Sequence, residues 1–219
     1  MSKGRRLSIT KILNRINKEE EKSLDPNEWL LAVLYASPSK SIPSEVHLQK
    51  ALFLASRYIK KLQEHIEFKL YRMGPWSEEV KDSLEILEVH NLINRSINGS
   101  LMLSKKGLEE ASNVWKKLTV REREALKHIV SFINKLSTDE LLLYVYIVHG
   151  YKEKSDIIDK LLRRRLSLAI SMLKKEAISV ELAAKIAGLS LIDFLKILRK
   201  KNIKPYIVEV SDIEFAGKL

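Results

Sequence analysis

Cysteine is absent from the 219 residues, which excludes disulfides, a thiol nucleophile and every zinc site built on Cys. Glycine is scarce, with seven in the chain, and none falls in a GxGxxG or GxxxxGK[ST] phosphate loop or a GxSxG nucleophile elbow. The histidines are His47, His65, His90, His128 and His149. They form no HxxxH or HExxH pair, so a metal site would have to be assembled across the fold, and no metal or other cofactor is expected. Adjacent carboxylates such as Glu78 with Glu79, or Glu109 with Glu110, suit helix first turns or solvated faces better than acid and base pairs. An enzyme is therefore not expected. The longest apolar run, LLLYVYIV from Leu141 to Val148, falls far short of the roughly 20 residues of a membrane span. The basic start MSKGRR leads into no apolar stretch with a cleavage site, so a cytoplasmic protein without a secretory signal is expected.

What is present is enough apolar material for real cores, 45% of the chain, and a net charge of +11. The abundance of Lys, Glu, Leu and Ile is compatible with a thermophilic source. The charge is unevenly spread. Residues 1–26 hold seven basic against four acidic side chains, residues 27–104 nine against nine, residues 105–149 eight against six, and residues 150–219 fifteen against nine. A polyanionic partner, if there is one, belongs at the ends.

The pattern predicts a mainly α protein in four parts: a basic arm over 1–26, a winged-helix-like α+β domain over 27–104, a helical linker or dimerisation layer over 105–150, and a helix-turn-helix domain over 151–219. The arm has room for a helix around Ile9 to Glu20 before Pro26 discourages helix at Asp25. EWLLAVLYAS reads as a short apolar helix, stopped by the proline- and serine-rich SPSKSIPSE. Val46, Leu48, Leu52, Phe53, Ala55, Ile59 and Leu62 fit one long amphipathic helix. FKLYRMGPW reads as a strand running into a Gly74-Pro75 turn, and Ser77 caps the next helix, which presents Val80, Leu84 and Leu87. LINRSINGSLMLS is hairpin-like around Asn98-Gly99. Two amphipathic helices follow, then STDE in capping-box form before a buried helix that ends at Gly150. A further helix runs from about Ser155 through the arginines of 163–165 towards Lys175, with a possible break.

The most informative stretch is ISVELAAKIAGLSLIDFLKIL. A helix-turn-helix of about twenty residues wants a small residue at its fifth place, glycine at its ninth and apolar residues at five others. A frame starting at Val180 puts Ala184 and Gly188 in the special places and Ala183, Ala187, Leu189, Phe194 and Ile197 in the core. Ser179 and Ser190 are suitable N-caps. In this reading Lys196, Arg199, Lys200 and Lys201, followed by Lys204, hold phosphates of double-stranded DNA, Lys185 and Ser190 approach the backbone, and the Asn98-Gly99 wing adds a contact. The aliphatic Leu191, Ile192 and Leu195 are poor base readers. Burial against a second subunit, as in a homodimer, or against another helix is an equal alternative to groove binding.

The stretch ISVELAAKIAGLSLIDFLKILRKKNI is similar to the core of a family of short prokaryotic helix-turn-helix proteins of uncharacterised function, often described as antitoxin candidates. The matching residues are Ile178, Ser179, Ala183, Ala184, Gly188, Leu189, Ser190, Phe194, Leu198 and Ile203. Upstream, HLQKALFLAS and FKLYRMGPWSEEVKDSLEIL resemble blocks of YwgA-like proteins and, distantly, the Panacea antitoxin domain, through Leu48, Gln49, Lys50, Tyr71, Gly74, Pro75, Ser77 and Leu87. The resemblance implies a regulator or a module that holds a protein partner such as a toxin. From the residues themselves, Gln49, Tyr71, Arg72 and Trp76 around the GPW loop are candidates for a small pocket or a docking surface, with Leu191 and Leu195 on the C-terminal side. The alternative for Trp76 is that it fills the core beside a Gly-Pro turn.

Overall fold

The computed structural model describes residues 23–150 and 156–203. The expected arm helix around Ile9 to Glu20, residues 151–155 and Lys204 lie outside the described residues.

Asp25 opens the fold as a capping box, its side chain accepting from the Glu28 amide and the Glu28 side chain from the Asp25 amide, with Pro26 at the first helical place. Helix α1, Pro26–Ala36, buries every residue from Trp29 to Leu34. A helix apolar all round has no solvent face and must be central. Strand β1, Ser41–Ile42, follows in what reads as a loop. Two residues carry no period for the sequence to reveal.

Helix α2 spans Glu45–Ser56 and a single turn, α3, spans Lys60–Gln63. The one long helix expected from Val46 to Leu62 is thus two. The break is chemical: Ser56 Oγ donates to the Phe53 carbonyl at 2.8 Å, the Gln63 amide donates to the Ser56 carbonyl, and Ile59 is extended. Helix carbonyls taken by side chains no longer continue the ladder.

Strands β2, Lys69–Tyr71, and β3, Gly74–Trp76, form an antiparallel hairpin in which Tyr71 faces Gly74. The turn is at Arg72 and Met73, so Gly74-Pro75 lies in the strand and not, as expected, in the turn. Pro75 is tolerated because the sheet has only two strands. Helix α4, Glu78–Val89, is capped by Ser77, and β4, Ile93–Arg95, turns through Ser96–Ser100 into β5, Leu101–Leu103. The second sheet has the order β1-β5-β4, all antiparallel. Gly107 lets the next helix approach this sheet: a Cβ there would sit 1.9 Å from the Leu92 carbonyl oxygen.

Helices α5 (Lys105–Lys117), α6 (Val120–Lys135) and α7 (Thr138–His149) have serine or threonine N-caps, two of them capping boxes. The expected linker or dimerisation layer packs onto the N-terminal helices, α5 on α1, α6 on α1 and α2, and α7 on α2, and all belong to one hydrophobic cluster. A buried histidine stitches them together. His47 Nε2 donates to the Leu136 carbonyl at 3.0 Å while Nδ1 meets Ser44 Oγ at 2.8 Å, and burial lowers the imidazole below its usual range.

The expected helix through the arginines is broken at Arg164 into α8 (Asp156–Arg163) and α9 (Arg165–Lys174). Helices α10 (Val180–Ala187) and α11 (Leu191–Lys200) complete the described chain. The C-terminal helices dock on α7. Glu140 of α7, 2% exposed, pairs with Lys175 at 2.6 Å, and Asp139 pairs with Arg164 at 2.8 Å. Burial alone would raise the Glu140 carboxyl, but hydrogen bonds from Lys175, Ser171 and Ser137 outweigh it and hold it below its ordinary value. No described helix is long and apolar enough to cross a membrane.

Candidate nucleic-acid interface

Helices α10 and α11 meet as their sequence dictates. Ser179 caps α10, and Gly188 ends it in the left-handed conformation (φ +72°, ψ +32°). The Leu189 amide reaches back to the Ala184 carbonyl at 3.1 Å, closing the turn in the manner of a Schellman motif. Ser190 then caps α11, accepting from the Asp193 amide at 3.1 Å. The buried set is Ala183, Ala184, Ile186, Ala187, Phe194 and Leu198. Leu189 and Ile197, expected in the core, are only half-buried. Ile186 and Leu198 are buried in their stead, and α9 packs along α10 as a third helix.

Arg165 is a structural residue that the sequence concealed among three arginines. Its Nε donates to the Ile186 carbonyl at 2.7 Å and a terminal nitrogen to the Lys185 carbonyl at 3.2 Å, so it closes the C-terminal end of α10. The guanidinium lies against Gly188, where a Cβ would approach it to 2.4 Å. Gly188 is therefore required twice, by its dihedral angles and by its neighbour.

The six residues expected at DNA are all exposed: Lys185, Ser190, Lys196, Arg199, Lys200 and Lys201. They are not equally available. The Ser190 hydroxyl is committed to the cap, donating to the Asp193 carboxylate at 2.7 Å, and Lys196 pairs with Asp193 at 3.2 Å. The Ser190 hydrogen bond and then Lys196 hold the Asp193 carboxyl below its ordinary value, so a fixed negative charge sits in the first turn of α11. Lys185, Arg199, Lys200 and Lys201 have no ion-pair partner among the described residues. Beside them Leu191, Ile192 and Leu195 remain 38%, 67% and 36% exposed.

The N-terminal unit presents the opposite chemistry. Helix α4 carries Glu78, Glu79, Asp82, Glu85 and Glu88 against one basic residue, Lys81. The only cation of the β4-β5 hairpin, Arg95, is spent on Glu45 at 3.2 Å and Glu88 at 2.8 Å.

The docking candidates divide as well. Tyr71 and Arg72 are exposed on the β2-β3 hairpin and Trp76 is half-buried. Gln49 is fully buried, which corrects its place in a docking surface. Its amide brackets the Ser77 backbone, donating to the carbonyl at 2.9 Å and accepting from the amide at 3.0 Å. Lys50, overlooked as a functional or structural anchor, is also fully buried, donates to the Pro75 carbonyl at 2.7 Å and lies 5.8 Å from the Trp76 ring centre. With no carboxylate partner among the described residues, its ammonium is pushed down to about 7 by burial. Gln49-Lys50 on α2 and Gly74-Pro75-Trp76-Ser77 thus interlock, and the pairing fixes the hairpin against the helix.

With this geometry in view, the comparison with known families is specific to one part of the chain. Residues 149–215 match the model of an uncharacterised protein family, UPF0175. No curated protein and no solved structure matches the chain. The UPF0175 segment takes in α8 to α11, and so contains the whole helix-turn-helix and all six expected DNA contacts. The Gln49-Lys50 and Gly74-Pro75 blocks lie outside it.

Proposed function

We propose that this protein is a non-enzymatic, cytoplasmic regulator that binds double-stranded DNA through α10 and α11. The observation that carries the reading is the set of unpaired cations, Arg199, Lys200 and Lys201, at the solvent-facing end of a helix whose approach to α10 is fixed by Gly188 and Ser190. Phosphate contacts of this kind supply affinity without sequence information, and Lys185 and Lys196 extend them along the same module. Residues 26–103 follow the helix, strand, helix, helix, hairpin order of a winged helix, with sheet order β1-β5-β4 and the β2-β3 hairpin inserted between α2 and α4. In that frame α4 is the helix that would enter a groove, and its five carboxylates oppose phosphate. We assign this unit to a protein partner, in the manner of an antitoxin, with Tyr71, Arg72 and Trp76 at its hairpin. The test is binding to duplex DNA across a salt series. Affinity that falls linearly on a log-log scale between about 50 and 200 mM salt supports the reading; no binding to any duplex at the lowest salt contradicts it.

A second feature favours a homodimer. Leu191, Ile192 and Leu195 are exposed together on α11, and a self-complementary contact through their flank would set two copies of the module in two-fold symmetry, as paired half-sites require.

A further inference from the structure

An open groove of about 760 Å³ runs between the end of α2, the length of α6 and the end of α7. Its volume is in the range of small-molecule sites. Along α6 the lining residues Arg121, Ala125, Ile129 and Phe132 recur at helical spacing, a stripe about 16 Å long at 1.5 Å per residue. Most of that stripe is apolar. The end nearest α7 is different in kind. There the Phe132 and Tyr144 rings meet edge to face at 4.7 Å, and the His149 ring lies 6.2 Å from Tyr144.

At that end the buried Nε2 of His149 has no partner among the described residues, and Tyr58 and Tyr144 line the groove beside it. A buried polar atom without a partner is costly, and a ligand atom is one way to satisfy it. Burial first and the Arg57 charge second hold the His149 imidazole below its ordinary value. The one carboxylate lining the groove, Glu122, is occupied in capping Thr119 through bonds of 2.7 and 2.9 Å.

We infer that the groove binds an elongated amphipathic acid, a medium-chain acyl carboxylate. Its head accepts hydrogen bonds from Tyr58, Tyr144 and His149, and its tail lies over Ala125 and Ile129. Because α7 carries Tyr144 and His149 at one end and, through Glu140, holds Lys175 of the C-terminal helices at the other, occupancy is communicated to α10 and α11. That consequence rests on the proposed DNA binding; the ligand site itself does not.

The test is calorimetry and thermal unfolding of the full chain, without DNA, using decanoate below its micellar range, with decanol and decylamine as neutral and cationic counterparts. Decanoate is expected to bind one to one at micromolar concentrations, more tightly than either counterpart by at least tenfold, and octanoate to lose about fourfold for each methylene removed. Tyr144→Phe with His149→Phe keeps the shape of the groove and should cost decanoate at least tenfold while the unliganded melting temperature is kept. Arg121→Gln, at the far end, should change affinity less than twofold. The inference is overturned if decanoate produces no heat and no thermal shift, if decanol or decylamine binds as tightly, or if the double Phe variant binds decanoate like the parent.

Discussion

Helices α4 and α11 begin alike. Each is capped by a serine, Ser77 or Ser190, whose Oγ accepts from the amide three residues on, each has a carboxylate in its first turn, and each buries one face against its own module. They diverge on the outward face, where α4 displays Glu78, Asp82 and Glu85 and α11 displays Lys196, Arg199 and Lys200. Caps, glycine turns and the buried stripe specify how a helix joins its neighbours; only the outward residues specify what it meets. Two units that are similar in local construction therefore present opposite outward charge.

The comparison can be broken most severely at the aliphatic flank of α11, where Leu191, Ile192 and Leu195 are exposed together. Leu191→Asp with Leu195→Asp should convert the proposed dimer to a monomer at micromolar concentration, read as a halved mass in sedimentation equilibrium or light scattering. An unchanged mass would remove these leucines from any interface. The next effect is electrostatic. Arg199→Ala with Lys200→Ala should reduce the slope of log affinity against log salt by about two, whereas Glu78→Gln with Asp82→Asn and Glu85→Gln should leave that slope unchanged. Equal effects of the two sets would erase the distinction between the helices.

A smaller effect tests the clamp that holds the N-terminal hairpin. Lys50 has a folded pKa of about 7 against an ordinary value of 10.5. The unfolded chain therefore binds more protons between those values, and stability should rise with pH through that window, by up to about 1.4 kcal/mol per pH unit. Urea unfolding at pH 7, 8 and 9 should show this rise in the parent and lose it in Lys50→Met. Parallel slopes in the two proteins would place a different group in control.

Legibility followed range along the chain. Ser179, Gly188 and Ser190 were readable because a cap or a left-handed glycine is set by residues within a turn of itself. The buried helix α7 was readable from STDE and Gly150 for the same reason. Features set by distant residues were not. Strand β1 exists only through β5, the break after Ser56 depends on Gln63, and the position of the β2-β3 turn follows from Gln49 and Lys50 gripping backbone more than twenty residues away. Leu189 and Ile197 are half-buried for the same reason: α10 packs along α9, whose residues lie outside the helix-turn-helix frame. At the candidate interface all six expected residues are on the surface, but the Asp193 side chain that occupies Ser190 and Lys196 emerges only from the geometry.

The central claim is that DNA is met by α10 and α11 and not by α4. Amide NMR of the full chain, titrated with a duplex at low salt, tests it most directly. The account predicts shifts concentrated between Lys185 and Lys201 and unchanged amides from Glu78 to Leu103. Shifts concentrated in α4 and the β4-β5 hairpin, with α11 unperturbed, would contradict it.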